Sequence, residues 1–414
     1  MTCDELSNLI IQNRDSIAFL VGNGIHNYET YNKGIPGKIC WNKLIDIIHE
    51  QLVPQDTHGF IKKGDKLPKK FDAIVQEYSW SKPAPTITNI GNNLSTLIND
   101  IENIQALRIS DFDTYIQLKP YINDFNIASL SHLKDNESLQ QAEKIVCNQI
   151  EIILKSIGIK GNFVSFDVSE FAKHIAFGGR LIDFAAKQII KSQFENYTLQ
   201  KWIMPFLRVA EELRTPILTT NYDISLSKLA HLSQRIAVGA NINVQKGFPF
   251  ETYFASSPIN HPWDSFAIWH IHGLYNNVNS IRIGKVDYEN LQREIQGRLN
   301  KTKNPLTDNK WDSNNSWLSI VFRKNLFIMG LGLEADEEVL WWLLKERAKY
   351  GLKGWYVCRE AENVIGMKAR NLRDAGFEII KVDSIDLHEN IWKNLLNKID
   401  EVETDGWNHL DKSH

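Results

Sequence analysis

The chain is poor in almost everything that marks a secreted, membrane-spanning or metal-stapled protein. Its 414 residues include only four cysteines, Cys3, Cys40, Cys147 and Cys358. These are too widely spaced for a C-x-x-C metal pair or a dense disulfide framework, and they suit a reducing compartment. No window reaches the roughly 20 consecutive apolar residues of a membrane span. The first residues, Met1 to Asn13, alternate polar and apolar side chains and lack the basic start and apolar run of a signal peptide. The expectation is a cytoplasmic protein with no membrane contact. Charge of one sign is also missing. Lys plus Arg number 47 against 50 Asp plus Glu, a net charge of -3, so no global field draws the chain to nucleic acid or lipid. Local patches remain: Lys62, Lys63, Lys66, Lys69 and Lys70, then Lys301, Lys303 and Lys310. Such charge runs are usually solvated loops, and whether nucleic acid is bound stays open. There is no internal repeat.

What is present is enough apolar material for a sizeable core, 43% of residues, arranged in two ways. Short continuous apolar runs occur at Ser16–Val21, Pro216–Thr220, Ala267–Ile271, Asn325–Met329, Trp355–Cys358 and Phe377–Val382. Each is closed by a polar or glycine-bearing turn and mostly followed by helix-like sequence, the pattern of buried parallel strands in an α/β sheet with helices on both faces. Between Trp41 and Arg214 helical spacing takes over. Ser138 and Gln141 form a capping-box pattern ahead of the apolar stripe Leu139, Ala142, Ile145, Val146, Ile150, Ile153 and Leu154, and Gly158 offers a stop. Helical spacing from Leu181 through Leu213 leads back to the sheet. The expected organisation is a discontinuous sheet domain over 1–45 and 215–400, a large, mainly helical insertion over 46–214, and a polar tail over 401–414.

Four turns that follow strand-like runs carry residues suited to chemistry. Gly22-Asn23-Gly24-Ile25-His26 lets the backbone turn tightly near a pyrophosphate, although the third glycine of the usual fingerprint is missing. Thr219-Thr220-Asn221-Tyr222-Asp223 supplies an amide and a carboxylate that hold ribose hydroxyls or orient a water. The same two residue types also cap helices, and both roles stand open. His270-Ile271-His272-Gly273 puts both histidines on one side of an extended strand, with Gly273 leaving room for a ligand. A histidine there can serve as general base. A metal site lacks an acidic or cysteine partner nearby. Gly330-Leu331-Gly332-Leu333-Glu334-Ala335-Asp336 forms a second close-approach loop. All four should converge on one crevice at the carboxyl ends of the strands.

The order of these motifs resembles the sirtuin-like superfamily, most closely the divergent branch found in bacterial anti-phage defence proteins. Gly22 to His26 is similar to the family's glycine-alanine-glycine phosphate loop, with Asn23 for alanine. Thr219 to Asp223 is similar to the threonine-x-asparagine-x-aspartate motif, with Thr220 where glutamine is usual. His272-Gly273 resembles the histidine-glycine of the catalytic strand, Gly330 to Asp336 the glycine-x-glycine-leucine loop ending in aspartate, and Arg282 to Tyr288, with Lys285 and Asp287, the stretch that often follows the histidine.

The resemblance covers about the first 45 residues and then Pro216 onward. It implies a Rossmann-like NAD-binding sheet. It implies that Asn221 orients a water or the nicotinamide ribose, that Asp223 helps hold that site, and that His272 is the base. It further implies that Gly22, Asn23, Gly24, Thr220, Gly330, Gly332, Asp336 and Arg359 bind NAD, with Cys358 and Arg359 toward the adenosine end.

The zinc ribbon of sirtuin deacetylases, two cysteine pairs, is missing, so no zinc is expected. A glycine-isoleucine-proline triplet at Gly34–Pro36 sits further from the phosphate loop than in deacetylases. Water is therefore favoured over acyl-lysine as acceptor. The implied function is an NAD hydrolase that depletes NAD in anti-phage defence, gated by homo-oligomerisation or by a partner, such as a hexameric translocase-type ATPase. That ATPase would be a separate chain, because no G-x-x-x-x-G-K-[ST] loop occurs here. The alternatives are a protein deacylase or ADP-ribosyltransferase, and a non-catalytic module binding NAD, ADP-ribose or nucleic acid.

Overall fold

A computed structural model describes residues 1–27, 44–45, 47–48, 181–195, 203–237, 250–277, 280–333, 337–360, 362, 364–383 and 389–410. The chain divides into two compact units. One comprises Met1–Cys40, Tyr197–Leu274 and Val286–His414, and the other Trp41–Asn196 and Tyr275–Lys285.

The first unit carries the sheet. Its strands are β1 (Ile17–Val21), β2 (Ile217–Thr219), β3 (Ser233–Ile236), β4 (Thr252–Ala255), β5 (Ile268–His270), β6 (Asn325–Met329), β7 (Gly354–Arg359) and β8 (Phe377–Val382). Their spatial order is β3-β4-β5-β2-β1-β6-β7-β8. The six strands from β5 to β8 are mutually parallel, while β4 and β3 add an antiparallel edge. These six are the apolar runs expected from the sequence. Taken in chain order, they lie 3-2-1-4-5-6 across the sheet, the arrangement of doubly wound dinucleotide-binding folds. The chain leaves β1 toward β2 on one side and returns to β6 on the other, so the direction of winding switches between β1 and β6.

The helices are α1 (Cys3–Gln12), α2 (Leu181–Phe194), α3 (Met204–Glu212), α4 (Ser225–Leu229), α5 (Lys285–Leu299), α6 (Trp317–Val321), α7 (Glu338–Ala348), α8 (Gly366–Asp374) and α9 (Ile391–Leu410). Local signals set their ends. Thr2 and Glu5 form a reciprocal capping box at the start of α1, with Thr2 Oγ1 accepting from the Glu5 amide at 3.2 Å and Glu5 Oε2 from the Thr2 amide at 2.8 Å. Pro205 stands in the first turn of α3, where its missing N–H costs no helical bond.

Phe19, in the middle of β1, shows how the layers close. Its ring meets Phe206 of α3 at 5.1 Å, Phe327 of β6 at 5.7 Å and Trp392 of α9 at 5.7 Å, all edge to face. Its neighbours Ala18 and Leu20 point to the other side of the sheet and are equally buried. Both faces of the central strand are therefore covered.

Three features differ from the sequence expectations. The antiparallel edge was not anticipated: β3 is Ser-Gln-Arg-Ile and largely exposed, so it carries no apolar run. Arg235 holds it in place, donating to the carbonyls of Ala255 and Ser256. The helical spacing read continuously from Leu181 to Leu213 forms two helices, α2 and α3, which belong to different units. The C-terminal helix α9 runs on through Leu410. The helix expected over Ser138–Gly158 and the Lys62–Lys70 cluster lie outside the described residues, as does Gly34–Pro36. In the second unit, α2 buries Ile189, Ile190 and Phe194.

Candidate active site at the carboxyl edge of the sheet

Strand register brings four of the sequence motifs to one row. Val21 is paired with Thr219 on one side and Met329 on the other, and Thr219 with His270. The chain leaves all four strands at the same height, and hydrogen bonds extend the row one residue further. The Thr220 amide donates to Val21 O (3.1 Å), the Ile271 amide to Thr219 O (2.9 Å) and the Gly22 amide to Met329 O (3.2 Å).

The two glycine loops meet across the β1/β6 junction, backbone against backbone. The Gly24 amide donates to Gly330 O at 2.6 Å. A Cβ on Gly22 would lie 2.6 Å from Gly330 O, and one on Gly24 would lie 2.7 Å from Gly330 Cα. Gly330 adopts φ +63°, a left-handed conformation that a side chain would strain. The amides of Gly22 and Gly24 are thus committed to protein carbonyls. These glycines let two loops cross, a more specific role than the general approach to phosphate expected from the sequence. Beyond the crossing, Leu331 O accepts from the Tyr356 hydroxyl at 2.8 Å and Gly332 O accepts from Lys368 Nζ. Asp336 lies outside the described residues.

Asn221 links three strands at the next position along. Its amide donates to Thr219 Oγ1 (3.1 Å), its side-chain Nδ2 to Gly22 O (3.4 Å), and its carbonyl accepts from His270 Nδ1 (2.9 Å). Asp223 is buried, with Oδ1 accepting the Ser225 amide at 2.9 Å at the start of α4. The bond is a side-chain turn just ahead of the helix, whose N-cap is Ile224 without a side-chain cap bond, so the capping role the sequence allowed for Asp223 takes this looser form. Thr220 is half-buried beside them.

The two histidines do not share the extended geometry expected for the motif. Strand β5 ends at His270, and Ile271 and His272 form a turn that closes on Gly273 at φ +102°. His272 is buried, with its ring edge-on to Tyr288 of α5 at a centroid distance of 5.4 Å. Tyr288 in turn shares a hydrogen bond with Tyr222. Burial, with the carboxylates of Asp287 and Glu337 adding to it, pushes the Tyr222 phenol well above its ordinary range. Tyr288 moves the same way, also chiefly through burial. His270 is held down to about 4, mainly by burial, with the Asn221 carbonyl and Asp223 opposing the shift. It is neutral across the physiological range.

The phenols of Tyr222 and Tyr288 escaped the functional reading of the sequence although both fall inside motifs quoted for it. The available signal was a tyrosine directly after Asn221 and a second closing the Arg282–Tyr288 stretch. At the end of β7, Arg359 Nε is paired with Glu362 Oε1 at 2.8 Å. Cys358 is buried within β7, its thiol pushed up to about 11 by burial, which removes it from reactive chemistry. Among the described residues no group of three or more His, Cys, Asp or Glu side chains is placed to hold a metal ion. A scan against protein-family models and a search of curated proteins both find no match.

Proposed function

We propose that the protein is an NAD hydrolase that releases nicotinamide and ADP-ribose. The observation that carries this reading is the strand register that ends the Gly22–Gly24 loop, the Asn221 loop and the turn carrying His272 at one carboxyl edge, beside the winding switch where doubly wound folds bind dinucleotides. The resemblance to the defence branch of the sirtuin-like superfamily supports it, and so does the lack of the deacetylases' paired cysteines.

In the proposed reaction, NAD lies across the β1/β6 junction with its nicotinamide ribose toward Asn221 and His272. The glycosidic bond breaks through an oxocarbenium-like state and nicotinamide departs with the bonding electrons. Water attacks the anomeric carbon while His272 takes its proton. Asn221, tied to Gly22 and His270, orients the water or the ribose, and each of these two groups contributes on the order of 2–4 kcal/mol to lowering the barrier. A hydrolase of this kind depletes a shared metabolite, so the proposal includes gating by oligomerisation or by a partner such as a separate ATPase, with anti-phage defence as the setting.

The test is nicotinamide and ADP-ribose release from NAD by purified protein, with and without its oligomeric or partner-bound state, wild type beside His272→Ala and Asn221→Ala. Loss of release in both variants is expected. Retained release in both would sink the assignment, and NAD binding without release would move the protein to the binding-module class.

A further inference from the structure

His270 lies outside the catalytic step proposed above, yet it is built firmly into the site. It is the last residue of β5, in register with Thr219 of β2, and is 2% exposed. Its ring is flanked edge-on by Phe254 of β4 at 5.5 Å, and its Nδ1 reaches the carbonyl of Asn221 at 2.9 Å. A carbonyl only accepts, so Nδ1 carries the hydrogen and donates. That hydrogen bond fixes the tautomer and leaves Nε2 bare. Among the described residues Nε2 has no hydrogen-bond partner. The backbone entering Asn221 is held by the sheet, through the Thr220 amide to Val21 O and through Asn221's own amide to the Thr219 hydroxyl. His270 holds the carbonyl by which the chain leaves Asn221.

We infer that His270 is a positioning residue, a neutral latch that fixes the Asn221 loop from the neighbouring strand through Nδ1–H alone. Its kinetic consequence rests on the hydrolase reading, whereas the latch itself does not. The ring needs to supply one donor at the Nδ1 position and no proton to the reaction. Depression of its protonation by burial keeps that donor pattern constant at neutral pH. The geometry also separates the two halves of the imidazole. An asparagine at this position places an N–H where Nδ1 sits, a glutamine places one where Nε2 sits, and a leucine places neither.

The experiment compares His270→Asn, His270→Gln and His270→Leu for nicotinamide release, and records the imidazole nitrogen resonances of ¹⁵N-histidine-labelled protein together with the Asn221 amide resonance. A latch predicts that Leu and Gln lower kcat on the order of 10²-fold, with KM changed less than about 3-fold, because a displaced catalytic loop costs rate more than binding. Asn restores kcat to within about 5-fold of wild type. The nitrogen spectra show His270 protonated at Nδ1 and bare at Nε2, and the Asn221 amide moves in the Leu variant but not in the Asn variant. Equal rescue by Gln, wild-type kcat in Leu, or a proton on Nε2 overturns the latch. If the wild type releases no nicotinamide in any state, the hydrolase reading falls, and the tautomer and the Asn221 resonance still decide the latch.

Discussion

The two edges of the central sheet are closed by opposite chemistry. At the amino edge, long cations reach in and saturate backbone carbonyls. Lys324 Nζ donates to Asp15 O at 2.6 Å, and Arg347, fully buried, donates to Val321 O, Lys324 O and Lys353 O at 3.2, 2.9 and 2.8 Å. Burial pushes the Arg347 guanidinium down to about 9, and it is still charged at neutral pH. At the carboxyl edge, glycine backbones cross, and the residues that tie β1, β2 and β5 together, Asn221 and His270, are neutral, with a cation, Lys368, reaching only the exposed carbonyl of Gly332 beyond the crossing. One edge uses its polar groups to hold chain ends together. The other keeps side chains out of the junction and leaves an asparagine and a histidine beside it. Stability and chemistry should therefore separate between the edges, and substitutions can test that separation.

The largest expected effects form a pair. Arg347→Met removes the donor to three carbonyls, two of the bonds buried and one part-buried, and should cost about 3–5 kcal/mol in urea unfolding, since each carbonyl left unmet costs about 1–3 kcal/mol and relief of the cation's desolvation offsets part of the sum. Nicotinamide release per folded molecule should be unchanged. His272→Ala should do the reverse, lowering release by about 10²–10⁴-fold, while stability falls by about 1 kcal/mol for the lost ring contact with Tyr288. If Arg347→Met also abolished release in protein shown to be folded, the two edges would be coupled and the contrast would fail.

A smaller effect follows from His270, whose folded-state value of about 4 lies below the ordinary imidazole value of 6.5. The unfolded chain therefore binds more protons than the folded chain between those values, so stability falls as pH drops through that window and levels off below it. The full loss attributable to this group is about 3 kcal/mol. Unfolding of wild type and His270→Asn, followed from pH 7 to pH 4, should show a difference in slope confined to that window. Parallel curves would mean that the His270 pocket admits solvent and that the carboxyl edge is looser than the amino edge.

Much of the central edge was legible because buried parallel strands are written as continuous apolar runs, and because glycines that must cross another backbone cannot be replaced by larger residues. The runs at Asn325–Met329 and Phe377–Val382 coincide with β6 and β8. What could not be read depends on contacts distant in sequence. The role of Arg347 comes from carbonyls 6 to 26 residues away, and nothing in its helix marks it out from Lys345. The two histidines looked equivalent under strand alternation. Only the strand's end at His270 sends one to Asn221 and the other to Tyr288.

The smallest effect tests whether the glycine crossing is a matter of space. Gly24→Ala places a methyl 2.7 Å from backbone atoms of Gly330, and backbone cannot rotate aside as a side-chain end does. The loops must part, at about 1–3 kcal/mol, the usual range for overpacking, and the β1/β6 junction should bind ADP-ribose more weakly. Gly297→Ala is the matched control. It lies in α5 with nothing within 4 Å of the added carbon, so helix propensity alone should raise stability by up to about 1 kcal/mol. Opposite signs for the two substitutions, read by thermal unfolding, would place the constraint at the crossing itself. A neutral Gly24→Ala with unchanged ADP-ribose binding would show that the loops yield without cost, and the carboxyl edge would lose the rigidity that distinguishes it here.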